Sequence, residues 1–349
     1  MADPQLRAHL FDLGASSAQT ADLDDYALIG LAGDLHLAAG LELSMVELAL
    51  EAGCSVEDLR AIYGSLGLRV EELAGFGPGD VALVSLITDD GNEIIAEVSP
   101  ELMRVTGTLL ARLADATVAA YVQDIERPVD DETDLVAMAN QNALASTLAL
   151  VFGDQLPTVF RHHMWTAVRR QRGAQSGVRA PQIVHMAVGF VDLVGFTSLS
   201  RSLSPAELIA TVEAFESRAF ETAGRHGGRI IKSIGDEVMI AASDASVVAA
   251  IALELIETTG AAPSVAPRGG VSAGEVLFRL GDYYGPVVNL ASRLTAEAIP
   301  GEVLTDQATI GSPLLSVQPA GRRTLKGFAE PVVVWSIDSA EPAPTRKTP

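Results

Sequence analysis

Apolar residues in the first 170 positions recur at spacings of three and four, which is the period of an amphipathic helix. Residues 22–40 and 100–125 show this pattern clearly. One such segment follows another with little interruption. The pattern therefore predicts an all-helical domain over residues 1–168.

Within this domain, residues 44–68 predict a helix, a glycine turn, a serine cap and a second helix. That order resembles the start of small bacterial helix-turn-helix DNA-binding domains. The second helix, however, offers Glu57 and Asp58 against Arg60. Because DNA phosphates are neutralised by Lys and Arg, packing without a DNA role is the favoured interpretation. A non-enzymatic DNA-binding regulator stays as an alternative.

The pattern changes in the second half of the chain. Residues 169–182 form a basic helix end followed by Gly, Ser and Pro, the composition of a linker. Beyond them, residues 183–338 alternate between strands and helices, which predicts an α+β domain with a layered sheet and helices on one main face. The predicted elements are a strand at 185–194, a helix at 204–227, a hairpin at 228–242, a helix at 244–259, strands within 268–285, a helix at 286–298 and a β pair within 316–337. The composition of residues 339–349 is typical of a disordered tail.

Charge separates the two halves sharply. The net charge of the chain is −21; residues 1–160 hold 27 acidic and 6 basic side chains, and residues 161–349 hold 18 of each. An acidic surface of this kind repels nucleic acids and anionic membranes at long range. Neither is therefore expected as the main partner.

Composition limits the location of the protein and its possible metal sites. No apolar run is expected to reach the roughly 18 to 20 residues of a membrane span. The amino terminus has no basic leader before an apolar core. Together these features predict a cytoplasmic protein without stable membrane insertion. Cys54 is the only cysteine. The sequence thus excludes an internal disulfide and a cysteine-rich metal site, so any metal must take oxygen or imidazole ligands.

Two carboxylates interrupt otherwise apolar segments. Asp192 lies in a predicted strand, and Asp236 follows Gly235 at the tip of the predicted hairpin. Taken alone, Asp236 is explained by ordinary turn chemistry. If the strand lies beside the hairpin, however, both carboxylates reach the same edge of the sheet. Few, hard oxygen ligands suit Mg²⁺ or Mn²⁺ with nucleotide phosphates completing the shell, so the pair predicts a metal-nucleotide site.

Four motifs in this half resemble those of the class III adenylyl cyclases. They are FVDLVGFTSLS at 190–200, KSIGDEVM at 232–239, GDYYGPVVNLASRL at 281–294 and LKGFAEPV at 325–332. They span most of residues 185–337 in the family's order, and four motifs at matching spacing are specific. The resemblance implies a ferredoxin-like catalytic domain that converts ATP to 3′,5′-cyclic AMP and pyrophosphate, with two Mg²⁺ or Mn²⁺ ions per site.

The resemblance also assigns roles to single residues. Asp192 and Asp236 match the metal-binding aspartates, and Lys232 and Asp282 match the adenine-reading pair. Guanylyl cyclases of this family usually carry Glu and Cys at the latter positions, so ATP is the expected substrate. Standing alone, Lys232 would be read as a solvated strand residue and Asp282 as a turn residue.

Asn289 and Arg293 match the last two catalytic positions of the family. They are four residues apart in a predicted helix, so they share one face of it. A planar guanidinium suits a crowded phosphate, which fits Arg293 to the charge that develops on the α-phosphate, while Asn289 would position the ribose.

Family resemblance further implies a head-to-tail homodimer with two composite active sites. In each site the metal aspartates come from one subunit, and the adenine pair, Asn and Arg come from the other. This chain holds all six residues in one catalytic domain. A monomer is therefore expected to be inactive.

An acidic helical domain ahead of a single cyclase domain is similar to mycobacterial-type soluble cyclases, in which the amino-terminal domain regulates activity, in some members according to pH. We hypothesise that acidic clusters dock on a basic segment near neutral pH, restraining the dimer, and release it in acid. The candidate charges are Asp22, Asp24, Asp25, Asp130, Asp131, Glu132 and Asp134 on one side and Arg161, Arg169, Arg170 and Arg172 on the other. His162 and His163 lie beside this segment, and the competing interpretation is that they are exposed residues without a role.

One further enzyme class stays as an alternative. The turn IGDEV resembles the Gly-Gly-Asp/Glu-Glu-Phe turn of diguanylate cyclases, but Ile234 replaces the first Gly and Val238 the Phe. That class would also leave Asp282, Asn289 and Arg293 unexplained.

Overall fold

The computed structural model describes residues 3–88, 100–121, 134–174, 183–259, 266–311 and 314–340. It divides into two compact units, Met1–Val168 and Arg169–Pro349.

The first unit is helical, as predicted. Its helices are α1 (Pro4–Asp12), α2 (Ser17–Thr20), α3 (Asp25–Leu37), α4 (Met45–Glu51), α5 (Val56–Ser65), α6 (Pro78–Thr88), α7 (Pro100–Tyr121), α8 (Leu135–Gly153) and α9 (Leu156–Ala174), with a 3₁₀ turn at Val70–Glu72. Buried residues of α1, α3 and α8 form one core, and those of α4, α5 and α6 form another.

Helices α4 and α5 form the predicted helix-turn-helix pair. Ser44 and Ser55 cap them through capping boxes with Glu47 and Asp58, so each cap satisfies two orphan backbone donors at a helix start. Arg60, the cation of α5, forms an ion pair with Glu71 at 2.7 Å. The second helix therefore presents no free cation for a phosphate backbone, which weakens the DNA-binding alternative.

Helix α9 extends into the predicted linker. Residues 169–182 were expected to begin with a basic helix end, and α9 continues to Ala174. Arg and Gln are good helix formers, and no glycine occurs in this segment before Gly173.

The length of one apolar helical stretch differs from the sequence prediction. Among the described residues, one helical stretch, Leu135–Arg169, is long and apolar enough to cross a membrane by length and composition, although the sequence was expected to contain no such run. Only the two turn residues Asp154 and Gln155 separate α8 from α9, so the interruption expected at Gly153 is short. Of the most apolar window in this stretch, 17% is buried inside the protein.

The second unit is built on a mixed sheet. Its strands are β1 (Ile183–Val194), β2 (Arg229–Ile234), β3 (Glu237–Ala242), β4 (Ala266–Arg279), β5 (Asp282–Tyr284), β6 (Val303–Asp306), β7 (Leu315–Arg323) and β8 (Val332–Ala340). Their order is β2-β3-β1-β4-β6-β8-β7, with β5 pairing beside β4. All pairs are antiparallel except β4 with β6. Strand β6 was not predicted, and β8 extends two residues beyond the predicted domain end at residue 338.

Helices cover both faces of the sheet. They are α10 (Phe196–Leu199), α11 (Pro205–His226), α12 (Ala245–Thr259) and α13 (Pro286–Glu297). Helices α11 and α12 pack on the face that carries Ala187 and Val191 of β1, and α13 packs on the face that carries Val188 and Phe190. The expectation of one main helical face is therefore right for α11 and α12 and wrong for α13.

A glycine allows α13 to approach the sheet closely. A Cβ at Gly270 of β4 would lie 2.4 Å from the backbone nitrogen of Thr295 and 2.6 Å from the carbonyl oxygen of Ala291. Thr295 also donates its hydroxyl hydrogen to the carbonyl of Phe190 at 3.3 Å, inside the core. These contacts fix α13, which carries Asn289 and Arg293, on β4 and on β1, which carries Asp192.

Candidate active site

The two predicted metal aspartates lie at one edge of the sheet. Asp192 is near the end of β1, and Asp236 is in the turn between β2 and β3, after Gly235 with φ +65°. The backbone N–H of Leu193 donates to the carbonyl oxygen of Asp236 at 3.2 Å. The register of the sheet thus brings together carboxylates that are 44 positions apart in the sequence.

Two more charged residues join them by strand register. On neighbouring strands, Asp192 pairs with Glu237 on one side and with Arg268 on the other. Because paired positions in a sheet point to the same face, the three side chains form a row. Nε and Nη2 of Arg268 donate to Oδ2 of Asp192 at 3.1 and 3.0 Å.

Burial and mutual repulsion of the carboxylates in this cluster favour the binding of a cation. Burial raises the pKa of Glu237 to about 7, with repulsion from Asp192 and Asp236 in the same direction and Arg268 opposing it. Burial also raises the pKa of Asp236, and Asp192 contributes. Clustered carboxylates whose pKa values rise together are stabilised by added positive charge.

The donor set fits a metal that is shared with a substrate. Among the described residues, no group of three or more His, Cys, Asp or Glu side chains is arranged to hold an ion by itself. Mg²⁺ is usually held by one or two carboxylates together with waters and substrate phosphates, and Asp192 and Asp236 match that pattern. The residues present therefore fit Mg²⁺ or Mn²⁺ with a nucleotide.

The predicted adenine-reading pair is already joined. Nζ of Lys232 on β2 donates to Oδ2 of Asp282 on β5 at 2.5 Å, and the N–H of Tyr283 donates to the other oxygen, Oδ1, at 2.8 Å. Strand β5 follows a tight turn with positive φ at Leu280 and Gly281. That turn folds β5 back on β4 and so places Asp282 within reach of Lys232.

A contact between two neighbouring side chains, which the sequence did not predict, stabilises the position of this pair. Nη2 of Arg229 donates to the hydroxyl of Tyr283 at 2.8 Å, and the guanidinium carbon lies 5.8 Å from the centroid of that ring. Tyr283 is buried and packs on Phe278. Arg229 and Tyr283 thus tie the start of β2 to β5.

Asn289 and Arg293 both lie on α13, as predicted. Asn289 is exposed and Arg293 is half-buried. Within the described ranges, no hydrogen bond or ion pair joins either residue to the aspartates or to the Lys232–Asp282 pair. One chain therefore presents three groups of candidate site residues that it does not join directly.

The regulatory candidates have mainly local contacts. His162 and His163 are exposed on α9, and so are Arg161 and Arg169. Asp24 caps α3 and Asp134 caps α8, while Asp25 accepts the backbone N–H of Asp3. Asp22 occupies a positive-φ position. Asp130, Asp131, Glu132 and the side chains of Arg170 and Arg172 lie outside the described residues.

Comparison with known proteins is consistent with this geometry. The family model for the adenylate and guanylate cyclase catalytic domain matches residues 178–337. A Mycobacterium tuberculosis protein named as uncharacterised is 32% identical over an alignment that covers 100% of this chain and 95% of that protein. An adenylate cyclase of Streptomyces coelicolor is 32% identical over 78% of this chain and 72% of its own length. A pH-sensitive adenylate cyclase of Mycobacterium tuberculosis is 33% identical over 58% of this chain and 52% of its own length.

The match to the catalytic-domain model contains Asp192, Asp236 and all four other predicted site residues, and two of these relatives align with most of both units. This agreement excludes a diguanylate cyclase as the identity of the second unit and argues against a non-enzymatic DNA-binding regulator that acts through residues 44–68. The chain belongs to the class III adenylyl cyclase family.

Proposed function

We propose that this cyclase converts ATP to 3′,5′-cyclic AMP and pyrophosphate. The observation that carries the choice of ATP is the Lys232–Asp282 pair, which offers one donor and one acceptor at the same place. Adenine presents a ring-nitrogen acceptor and an exocyclic amine donor, which complement the pair. Guanine presents an oxygen and a ring N–H at those positions, so it would meet the same groups with its polarity reversed.

The reaction is an intramolecular transfer. The ribose 3′-oxygen forms a bond to the α-phosphorus, the bond from that phosphorus to the leaving oxygen breaks, and its electron pair leaves with pyrophosphate. The proton of the 3′-hydroxyl goes to solvent or to a substrate oxygen. Asn289 would orient the ribose, and Arg293 would bind the α-phosphate as its charge grows.

Asp192 and Asp236 are the residues that would hold two Mg²⁺ or Mn²⁺ ions. When bound, such ions lower the pKa of the attacking hydroxyl and neutralise phosphate charge. The protein's own contribution is to keep the two carboxylates together at the sheet edge, where the N–H of Leu193 fixes the turn that carries Asp236.

We further propose that the active form is a head-to-tail homodimer. The three groups of site residues in one chain are not joined to each other, and in this family a second catalytic domain brings complementary groups together. Each site would take Asp192 and Asp236 from one subunit and Lys232, Asp282, Asn289 and Arg293 from its partner.

Incubation of the full chain with ATP or GTP and Mn²⁺, followed by mass spectrometry of the products, tests the activity. We expect cyclic AMP from ATP and little or no cyclic GMP from GTP. Asp192→Asn and Asp236→Asn serve as matched controls, because each keeps the size of the side chain and removes its charge. Product formation that is unaffected by both substitutions would refute the proposed site.

The helical unit is proposed to restrain the cyclase near neutral pH and to release it in acid. A relative described as pH-sensitive supports the idea, and His162 and His163 are exposed on α9. In the full chain, His162→Gln combined with His163→Gln should flatten the rise of activity between pH 7 and about pH 5.5. His36→Gln, in the same unit, is the control. A double variant with an unchanged pH profile would remove these histidines from the mechanism.

A further inference from the structure

Strand β5, which carries Asp282, has little backbone support of its own. It is three residues long, and Gly281 with φ +83° and Gly285 with φ +130° lie on either side of it. Its backbone pairs with the end of β4. A short segment between two glycines is easily displaced, because glycine restricts the backbone less than any other residue. The position of Asp282 therefore depends on the side-chain contacts of β5.

Tyr283 is the buried residue of this strand and holds it against the core. Its side chain is 5% exposed, whereas Asp282 is partly buried and Tyr284 is exposed. The ring packs beside Phe278, with the two ring centroids 5.1 Å apart. The backbone N–H of Tyr283 also donates to Oδ1 of Asp282 at 2.8 Å. The residue that anchors β5 thus holds the carboxylate as well.

A β-bulge places Arg229 on the same face of the sheet as Lys232. Residues three apart in a regular strand point to opposite faces, but the pairing of β2 with β3 shifts between these two residues. Their partners on β3 are Ala241 and Met239. Both partners are buried in the cluster that contains Tyr283. Because paired residues point to the same face, the bulge directs both cations to the face that carries Tyr283.

Two side-chain contacts consequently connect β2 with β5. Nζ of Lys232 donates to Oδ2 of Asp282 at 2.5 Å, and Nη2 of Arg229 donates to the hydroxyl of Tyr283 at 2.8 Å. Among the described strands, β2 pairs with β3 and β5 pairs with β4, so no backbone ladder joins β2 to β5. A hydrogen bond from a charged donor is stronger than a neutral one. The Arg229–Tyr283 contact therefore helps to hold together the two strands that carry the base-reading pair.

We propose that Arg229 is a positioning residue for base selection. Through the hydroxyl of Tyr283, it holds β5 at the separation from β2 at which Lys232 and Asp282 both reach one purine. Without this contact, Asp282 no longer meets the exocyclic amine of adenine in a good geometry. Arg229 contacts no atom of the base and acts only through Tyr283. This inference rests on the proposed function, in which the Lys232–Asp282 pair reads adenine.

A comparison of ATP with purine riboside 5′-triphosphate, which lacks the exocyclic amine, measures what Asp282 contributes. The full chain is assayed with Mn²⁺, and kcat/KM for each nucleotide is obtained from the rate of cyclic product formation. The parent protein should prefer ATP by about tenfold or more, the usual effect of one hydrogen bond to a charged group. A variant in which Asp282 is displaced should lose part of this preference, because the amine no longer meets its acceptor.

Two substitutions remove the Arg229–Tyr283 hydrogen bond from opposite ends. Tyr283→Phe keeps the buried ring and loses only the hydroxyl, and Arg229→Met keeps an unbranched apolar stem and loses the donor. Each should reduce the preference for ATP by about threefold or more, the scale of one weakened hydrogen bond. The double variant should reduce it no further, because both changes remove the same contact. Additive losses would show that Arg229 acts independently of Tyr283 and would overturn the positioning role. Tyr283→Phe alone decides the outcome if Arg229→Met does not fold.

Tyr63→Phe is the matched control. Tyr63 is also buried, and its hydroxyl donates to Oδ1 of Asp80 at 2.5 Å in the helical unit. The substitution removes a similar hydrogen bond and should leave the nucleotide preference at the parent value. A protein that is merely destabilised loses active molecules for both nucleotides alike. The ratio of the two kcat/KM values therefore separates positioning from folding.

Asp282→Ala distinguishes failure of this inference from failure of the proposed function. This substitution should abolish the preference for ATP. If it does so while Tyr283→Phe and Arg229→Met keep the full preference, the positioning role is refuted and the base-reading pair stands. If the parent protein shows no preference, or Asp282→Ala retains it, the proposed base-reading site is wrong and the inference fails with it.

Discussion

Mixing two inactive variants tests the assignment of residues to opposite halves of the active site. Asp192→Asn removes a proposed metal ligand, and Arg293→Ala removes the guanidinium that is proposed to bind the α-phosphate. In the proposed homodimer, each variant alone gives two sites that both lack one group. In a heterodimer, one site collects both defects, and the other combines intact Asp192 from one subunit with intact Arg293 from its partner.

The recovered activity follows from counting sites. Random exchange of equal amounts makes about half of the dimers mixed, and one of their two sites is intact, so about a quarter of the parent activity should return. Loss of a single transition-state contact typically costs about a hundredfold or more in rate, so each variant alone should give about 1% or less. The mixture should therefore exceed either variant about 25-fold.

A matched mixture gives the control. Asp192→Asn and Asp236→Asn lie in the same half of the site, so no arrangement of these two subunits makes an intact site, and no activity should return. The assay is cyclic AMP formation after subunit exchange, with heterodimers confirmed by differently tagged chains. Recovery in the control mixture, or none in the test mixture despite proven heterodimers, would refute the assignment.

Three further predictions concern packing, pH and base selection. Gly270→Ala should lower the unfolding free energy by about 3 kcal/mol, because the added methyl meets the backbone of α13; chemical denaturation measures this. The pKa of Glu254 is lowered chiefly by a hydrogen bond with His226, so this contact stabilises the protein above about pH 4.5 and is lost as the pH falls through the lowered pKa. Glu254→Gln should therefore cost about 1 kcal/mol or less near pH 6 and progressively less in stronger acid, as seen in pH-dependent unfolding. Lys232→Glu with Asp282→Cys should shift the ratio of kcat/KM for ATP over GTP toward GTP by about a hundredfold, and equal shifts for both nucleotides would contradict the base-reading role.

Periodicity predicted the elements that have a one-sided pattern. Helices α11 and α12 and the β2–β3 hairpin were predicted because each alternates apolar and polar positions or has a clear turn. Strand β6 was missed because Val303–Asp306 is only four residues long and buried throughout, as a strand that is parallel to its neighbour often is. Its residues show no alternation to detect.

The site was predictable where a residue lies in a motif and unpredictable where it depends on register. Asp192, Lys232 and Arg293 were identified from short local patterns. Arg268 is 76 positions from Asp192, and only the pairing of β1 with β4 places the two side chains together. A shift of one residue in that pairing would turn Arg268 to the opposite face, and no local pattern records the register.

The Lys232–Asp282 contact changes how base selection should be understood. From sequence, the two residues were expected to complement adenine separately; in the structure each is also the other's partner, at 2.5 Å. A base that enters must break this charged hydrogen bond. A base that offers a hydrogen-bond donor to Asp282 and an acceptor to Lys232 replaces the interaction that each side chain has lost. A base with reversed polarity leaves both charges poorly paired in a partly buried place, which is the more costly outcome. If the pair reads the base as proposed, discrimination arises from the cost of separating the pair as well as from the hydrogen bonds that the base forms. Weakening the pair should then relax selectivity before it lowers turnover.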